Sequence, residues 1–267
     1  YIINMKITEN TMDIASQYGR LNIVKWLHKN NKTCTKRALN LAASYGHLEI
    51  IKWLYKNKNE ICTNNKAFNI AAINGHLDIV KWLYENKKET CTINNSVMDE
   101  AASRGHLEVV KWLHKNKYIS TINAIDHSAG NGHLEVIKWL HKNRKDGCST
   151  NAIDNAAMNG NIDVIKWLTE NKNEGFTIDG LEMAIDNNHL EVLNWLLQHL
   201  GDCKNDISDI IELMINAIIH YNNDYHNGDK SEIMKCIYYK LIELNGINKQ
   251  LKKYILREFN SPDTKIY

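Results

Sequence analysis

Proline is nearly absent from this chain of 267 residues: it occurs once, at Pro262, so nothing before it is interrupted by proline. Excess charge is absent too. Thirty-three basic residues face 31 acidic ones, a formal net charge of +2, which offers no bulk attraction to nucleic acid or an anionic membrane. Long apolar runs are missing. The most apolar window, Ile210 to Ile219, is broken by Glu212 and Asn216. It also falls far short of the roughly 20 residues a membrane helix needs. The opening Tyr1 to Lys6 has neither the apolar region nor the small-residue cleavage site of a secretory signal, so an intracellular location is expected. No pair of the six cysteines has C-x-x-C spacing, and no H-E-x-x-H, glycine-rich phosphate loop or nucleophile–base pair stands out. A non-catalytic protein without cofactor, metal or small-molecule substrate is the expectation.

What is present is repetition. The stretch Gly105-His106-Leu107-Glu108-Val109-Val110-Lys111-Trp112-Leu113 has near-copies starting at Gly19, Gly46, Gly75, Gly132, Gly160 and Asn188. All seven tryptophans lie in these copies, with successive spacings of 27, 29, 30, 27, 28 and 28 residues. A period in the twenties to fifties signals a solenoid, in which length adds units rather than a deeper core.

Each unit reads as two helices. A small pair such as Ala42-Ala43, Ala71-Ala72 or Ala101-Ala102 follows an apolar residue three positions earlier, and it allows another backbone to approach closely. The glycine after it is the residue type that ends a helix in the left-handed conformation. The second helix then starts with an acid in its first turn, where the helix dipole favours anions. A hydroxyl reopens the cycle at Thr35, Thr63, Thr92, Thr121, Ser149 and Thr177. After Leu200 the period stops, and Asp206–Tyr221, Lys230–Leu244 and Lys249–Phe259 read as amphipathic helices. The expected organisation is a repeat array over 1–200 and a C-terminal helical cap or small docking module over 201–267.

The blocks Ala-Ala-x-x-Gly-His-Leu-Glu-Val-Val-Lys-Trp-Leu resemble the ankyrin repeat, from about Thr8 to Leu200. The Lys-Trp-Leu variant with short polar connectors is similar to ankyrin proteins of giant DNA viruses of amoebae. The resemblance implies an all-α, ankyrin-type helix-turn-helix solenoid of about seven repeats, and a scaffold that docks a partner protein on its concave face. The viral likeness implies a host protein as partner and a location in the cytoplasm or nucleus of an infected cell. The chain departs from the family in two slots. The proline of its Thr-Pro-Leu-His box is replaced by Ala38, Ala67, Val97, Ala124, Ala152 and Gly180. The histidine is replaced by Asn40, Asn69, Asp99, Asp126, Asp154 and Glu182, which the resemblance makes hydrogen-bonding residues between helices and repeats. Units shorter than the family's roughly 33 residues imply short loops in place of β-hairpin fingers.

Several one-per-repeat columns invite chemistry. His47, His76, His106, His133 and His189 cannot converge on a metal, because stacked helices lie about 8–10 Å apart while zinc ligands sit about 2 Å from the ion. The family likeness makes them turn and helix-start residues. Cys34, Cys62, Cys91 and Cys148 are too far apart to bridge and read as buried thiols. The tryptophans are expected to fill the gap between one repeat and the next rather than to stack bases. The lysine column Lys25, Lys52, Lys81, Lys111, Lys138 and Lys166 carries the alternative of a nucleic-acid binder. From Lys52 on, however, each follows an acid by three residues (Glu49, Asp78, Glu108, Glu135, Asp163), a spacing that neutralises the face.

One column varies where packing would keep it constant. The second position between the small pair and the glycine reads Tyr18, Tyr45, Asn74, Arg104, Asn131, Asn159 and Asn187. By resemblance it faces the concave side. Tyr45 and Arg104 are the expected partner-binding anchors, with Tyr18, Asn74, Asn131 and Asn159 beside them, since Tyr and Arg dominate interface energetics.

Overall fold

The computed structural model describes residues 10–57, 66–87, 96–144, 147–171, 174–222 and 230–245. The fold is all-α. Seven helix pairs follow one another: α1 (Asn10–Gln17) with α2 (Leu21–Lys29), α3 (Lys36–Ser44) with α4 (Leu48–Asn57), and α5 (Lys66–Ile73) with α6 (Leu77–Lys87). Next come α7 (Ser96–Ser103) with α8 (Leu107–Lys115) and α9 (Asn123–Gly130) with α10 (Leu134–Asn143). The last two pairs are α11 (Asn151–Met158) with α12 (Ile162–Asn171) and α13 (Ile178–Asp186) with α14 (Leu190–Gln198). Two longer helices, α15 (Ile207–Asn222) and α16 (Lys230–Asn245), complete the described chain. The loop between α2 and α3 and that between α8 and α9 are short and carry no hairpin, as the short period implies.

The turn inside each pair is a single left-handed residue. Gly75 has φ +81°, and a Cβ there would lie 2.5 Å from Nδ1 of His106 in the following repeat. Glycine is therefore required for space as well as for φ. Asn188 takes the same turn at φ 59°. Small residues let the first helices stack: Ala42, Ala43, Ala71 and Ala72 are fully buried, and α1 packs on α3, α3 on α5 and α5 on α7. The second helices bury a wider stripe, Ile50, Ile51 and Leu54 in α4 and Val109, Val110 and Leu113 in α8.

The chain forms two compact units, 1–125 with 135–146 and 126–134 with 147–267, the division falling within α9 and at the start of α10. In the second unit α11 packs on α13, and the two long helices continue the alternation, α15 against α13 and α16 against α14. Ile210, Met214, Ile233, Ile237 and Leu241 are buried by it. The loop before α15 also pairs with the loop before α13. Phe176 N–H donates to Asp202 O (3.3 Å), Lys204 N–H to Phe176 O (2.9 Å) and Ile178 N–H to Asn205 Oδ1 (2.9 Å). The helices expected at 206–221 and 230–244 are thus present within a residue, while the one expected at Lys249–Phe259 lies outside the described residues.

Candidate functional site

Each columnar residue has a defined structural task. Asp99 Oδ1 accepts from the backbone N–H of Thr121 (2.8 Å) and Oδ2 from its hydroxyl (2.7 Å). The same bidentate clasp joins Asp13 to Thr35, Asp126 to Ser149 and Asp154 to Thr177. Each hydroxyl in turn accepts from the first turn of its own helix, as from Arg37 N–H (3.1 Å) at Thr35 and Asn123 N–H (3.2 Å) at Thr121. One oxygen thus caps a helix and ties it to the repeat before. The histidine-slot expectation holds in this form for Asp99, Asp126 and Asp154. Asn40 and Asn69 occupy the slot with Oδ1 buried and unpartnered among the described residues, and Thr63 and Thr92 of the following repeats lie outside them.

The histidines start the second helices, as the family likeness implies, and do more. His47 Nε2 meets Gln17 O (2.9 Å), His76 Nε2 meets Ser44 O (2.9 Å) and His189 Nε2 meets Met158 O (3.1 Å). A carbonyl only accepts, so Nε2 carries the hydrogen. Where histidine is replaced, Asn161 Nδ2 donates to Ala129 O (3.1 Å) and Gly130 O (2.8 Å). A second column closes the other end of the pair: Asn30, Asn57, Asn86, Asn116, Asn143 and Asn171 each donate Nδ2 to the carbonyl of the tryptophan four residues earlier (2.8 Å).

The tryptophan and lysine columns add detail to the expectation. Four tryptophan rings meet a side chain of the preceding repeat. Trp53 meets His28, Trp82 meets Tyr55, Trp112 meets Tyr84 and Trp139 meets His114, at 5.0–5.3 Å between centroids. They are half-buried rather than buried, and Trp26, which has no described repeat before it, is 54 % exposed. The lysine column is only partly neutralised within its own helices. Lys52–Glu49 (2.7 Å), Lys111–Glu108 (2.7 Å) and Lys138–Glu135 (2.9 Å) form as expected. Lys166 instead reaches Glu191 of the next repeat (3.1 Å), and Lys81 pairs with no described carboxylate. In both failures the acid is aspartate, one methylene shorter than glutamate. Among the cysteines, Cys34 is buried and Cys148 only half-buried, neither in a disulfide, while Cys62 and Cys91 lie outside the described residues. Burial pushes the thiols of Cys203 and Cys236 up, which keeps them protonated at neutral pH.

A surface feature crosses these columns in the first unit. A groove of about 550 Å³ runs over α3, α5 and α7. Leu41, Ile70 and Ile73 form half-buried apolar lining, with Arg37, Asn40, Ser44, Asn74, Glu100 and Arg104 around them. Of the expected site residues it brings together Asn74 and Arg104: Arg104 Nη1 donates to Asn74 Oδ1 (3.0 Å), and Asn74 Nδ2 donates to Ile70 O (2.8 Å). Tyr45 and Tyr18 are 54 % and 64 % exposed, and the Tyr45 phenol oxygen accepts from Gln17 Nε2 (3.1 Å). Asn131 and Asn159 belong to the second unit, where Asn159 Nδ2 donates to Gly130 O (2.8 Å). Asn187 donates to Met183 O (2.9 Å), so Asn74 and Asn187 both close their own helices. Sequence reasoning missed Arg37, Leu41, Ile70, Ile73 and Glu100. The available signal was the position just before the small pair, which reads Leu41, Ile70, Glu100, His127, Asn155 and Met183 and varies as freely as the column that was chosen.

A family model described as Ankyrin repeats (3 copies) matches overlapping stretches, 12–95, 39–126, 68–154, 98–178 and 125–209. The chain belongs to the ankyrin-repeat family. Comparison with curated proteins gives no match. Among solved structures, the human ASB11 ankyrin repeat domain is similar at 21% identity, covering 60% of this chain and 83% of that one, with a TM-score of 0.47. Ankyrin repeats generally mediate protein–protein interaction. The bidentate aspartates, histidines and glycines described above are the framework of such repeats here, and the groove is made by residues that framework leaves free to vary.

Proposed function

We propose that this ankyrin array is a non-catalytic scaffold that docks a partner protein on its first-helix face, around the groove over α3, α5 and α7. One observation carries the reading. At positions that vary between repeats, three adjacent first helices expose Leu41, Ile70 and Ile73 beside Arg104, whose guanidinium is held by Asn74. A packing-only surface has no use for half-exposed aliphatics beside an oriented arginine, whereas a buried apolar centre with an Arg anchor is what binding energy concentrates on. Tyr45 and Tyr18 extend the surface toward α1. The Lys-Trp-Leu repeat variant supports a giant-virus source, hence an intracellular site of action and a host protein as partner. In the test, wild-type chain and the Tyr45→Ala, Arg104→Ala double variant are used as bait, with helical content compared by circular dichroism. Loss of the captured protein by a folded double variant is expected. Undiminished capture would move the site to the loops or to α15 and α16.

A further inference from the structure

The near-neutral charge of the whole chain hides a local excess. Between Arg20 and Ser44 lie six of the 33 basic residues and none of the 31 acidic ones, leaving 27 against 31 over the rest. Lys36 and Arg37 open α3, Arg37 lining the groove, and neither forms an ion pair with a described residue. Arg104, at the far edge, uses one of its five guanidinium hydrogens on Asn74. Glu100 lies on α7, four residues before Arg104, and accepts from Ser96 Oγ (3.2 Å). The groove therefore has a cation at each end and an aliphatic floor between them, with its one carboxylate on α7 a turn before the far cation.

We propose that it takes an extended segment of the partner protein, six or seven residues long, with a carboxylate near each end and apolar side chains between. This rests on the groove being the docking site. Arg37 and Arg104 are two layers apart, roughly 16–20 Å at about 8–10 Å per layer. They are also offset by a helix length of about 13 Å at 1.5 Å per residue. The diagonal, about 20–24 Å, is spanned by six or seven extended residues at about 3.3–3.6 Å each. Arg37 and Arg104 hold the terminal carboxylates, and Leu41, Ile70 and Ile73 between them receive the apolar side chains. The lining contains no aromatic ring on which a base could stack, which favours a peptide over single-stranded nucleic acid.

The full chain is tested on an array of heptapeptides with Asp or Glu at both ends and Leu, Ile, Val or Met at the third and fifth positions. Lysine-ended and core-serine counterparts and a twelve-residue oligothymidine serve as rival probes. Acid-ended peptides are expected to bind about tenfold or more tighter than lysine-ended ones. Arg37→Ala and Arg104→Ala should each weaken them about three- to tenfold, as charge-assisted hydrogen bonds at an exposed site would. Arg104→Glu should shift preference toward a lysine at one end, a readout that mere misfolding cannot produce. Ile73→Asp should abolish binding. Lysine-ended or neutral peptides preferred, yet lost in Ile73→Asp, would overturn the charge pattern and leave the groove as a docking site. No peptide of any class held would overturn both, and oligothymidine outcompeting every peptide would make the groove a nucleic-acid site.

Discussion

Asp13, Asp99, Asp126 and Asp154 are each 2–5 % exposed, and each gives up water to receive two hydrogen bonds from one residue of the next repeat. Removing the acceptor leaves a helix-capping hydroxyl and a backbone N–H without a partner. Asp99→Ala should therefore cost about 1–3 kcal/mol in urea unfolding, and Asp99→Asn less, since an amide oxygen still accepts. An Asp99→Ala variant as stable as wild type would remove the clasp from the account. Asp154 adds a pH signature. Burial raises its carboxyl above the usual 3.8, outweighing the Thr177 hydrogen bonds that lower it. A raised folded-state pKa means stability fully present below the unfolded value and lost as pH rises through the folded one. Wild type should thus lose stability relative to Asp154→Asn between about pH 4 and that raised midpoint, and a gap that is flat with pH would contradict it. Asp99, Asp126 and Asp154 were legible because the family's histidine slot marks them, whereas Asp13, in the same register of the first repeat, was missed. The carbonyl partners of His47, His76 and Asn161 were not legible, because a backbone acceptor about 30 residues away leaves no trace in side-chain pattern.

Helices carry the next level of specification. Periodicity placed nearly every helix pair and both long C-terminal helices, because the left-handed glycine and the cap hydroxyl mark where a helix must stop and start. It could not give the direction in which a ring leans. Trp112 lies against Tyr84 and Phe68 of the preceding repeat while its own edge stays half-exposed. Trp112→Ala should then cost about 2–3 kcal/mol, below the roughly 3–5 of full burial. Trp26→Ala, at a ring 54 % exposed, should cost clearly less. Thermal melts of the two variants side by side check this, and equal losses would show that the preceding repeat contributes nothing. The lysine pairs teach a similar lesson. Spacing identified the partner correctly wherever the acid is glutamate, and side-chain reach decided the outcome at Asp78 and Asp163.

At the scale of the molecule, the framework is nearly invariant from repeat to repeat and the groove is where it is not. The sequence column holding Asn74 and Arg104 lies at the rim of the groove, while its apolar floor comes from two other variable columns, one with Leu41 and Ile70 and one with Ile73, that only stacked helices bring beside the first. With three glutamates holding lysines of the second helices, nucleic-acid affinity should stay in the non-specific range, about 10⁻⁴–10⁻⁶ M at physiological salt. Filter binding with duplex and single-stranded probes measures it, and submicromolar binding lost in Lys81→Glu, Lys111→Glu would reverse the choice of partner class. A partner seated on the first-helix groove of the first unit lies within reach of the groove lining and away from the second helices. A photo-crosslinking amino acid placed at Ser44, in the groove lining, or at Glu108, on an exposed second-helix face, tests this most directly. A discrete crosslinked partner is expected from position 44 and none from position 108. Crosslinking from position 108 alone would contradict it.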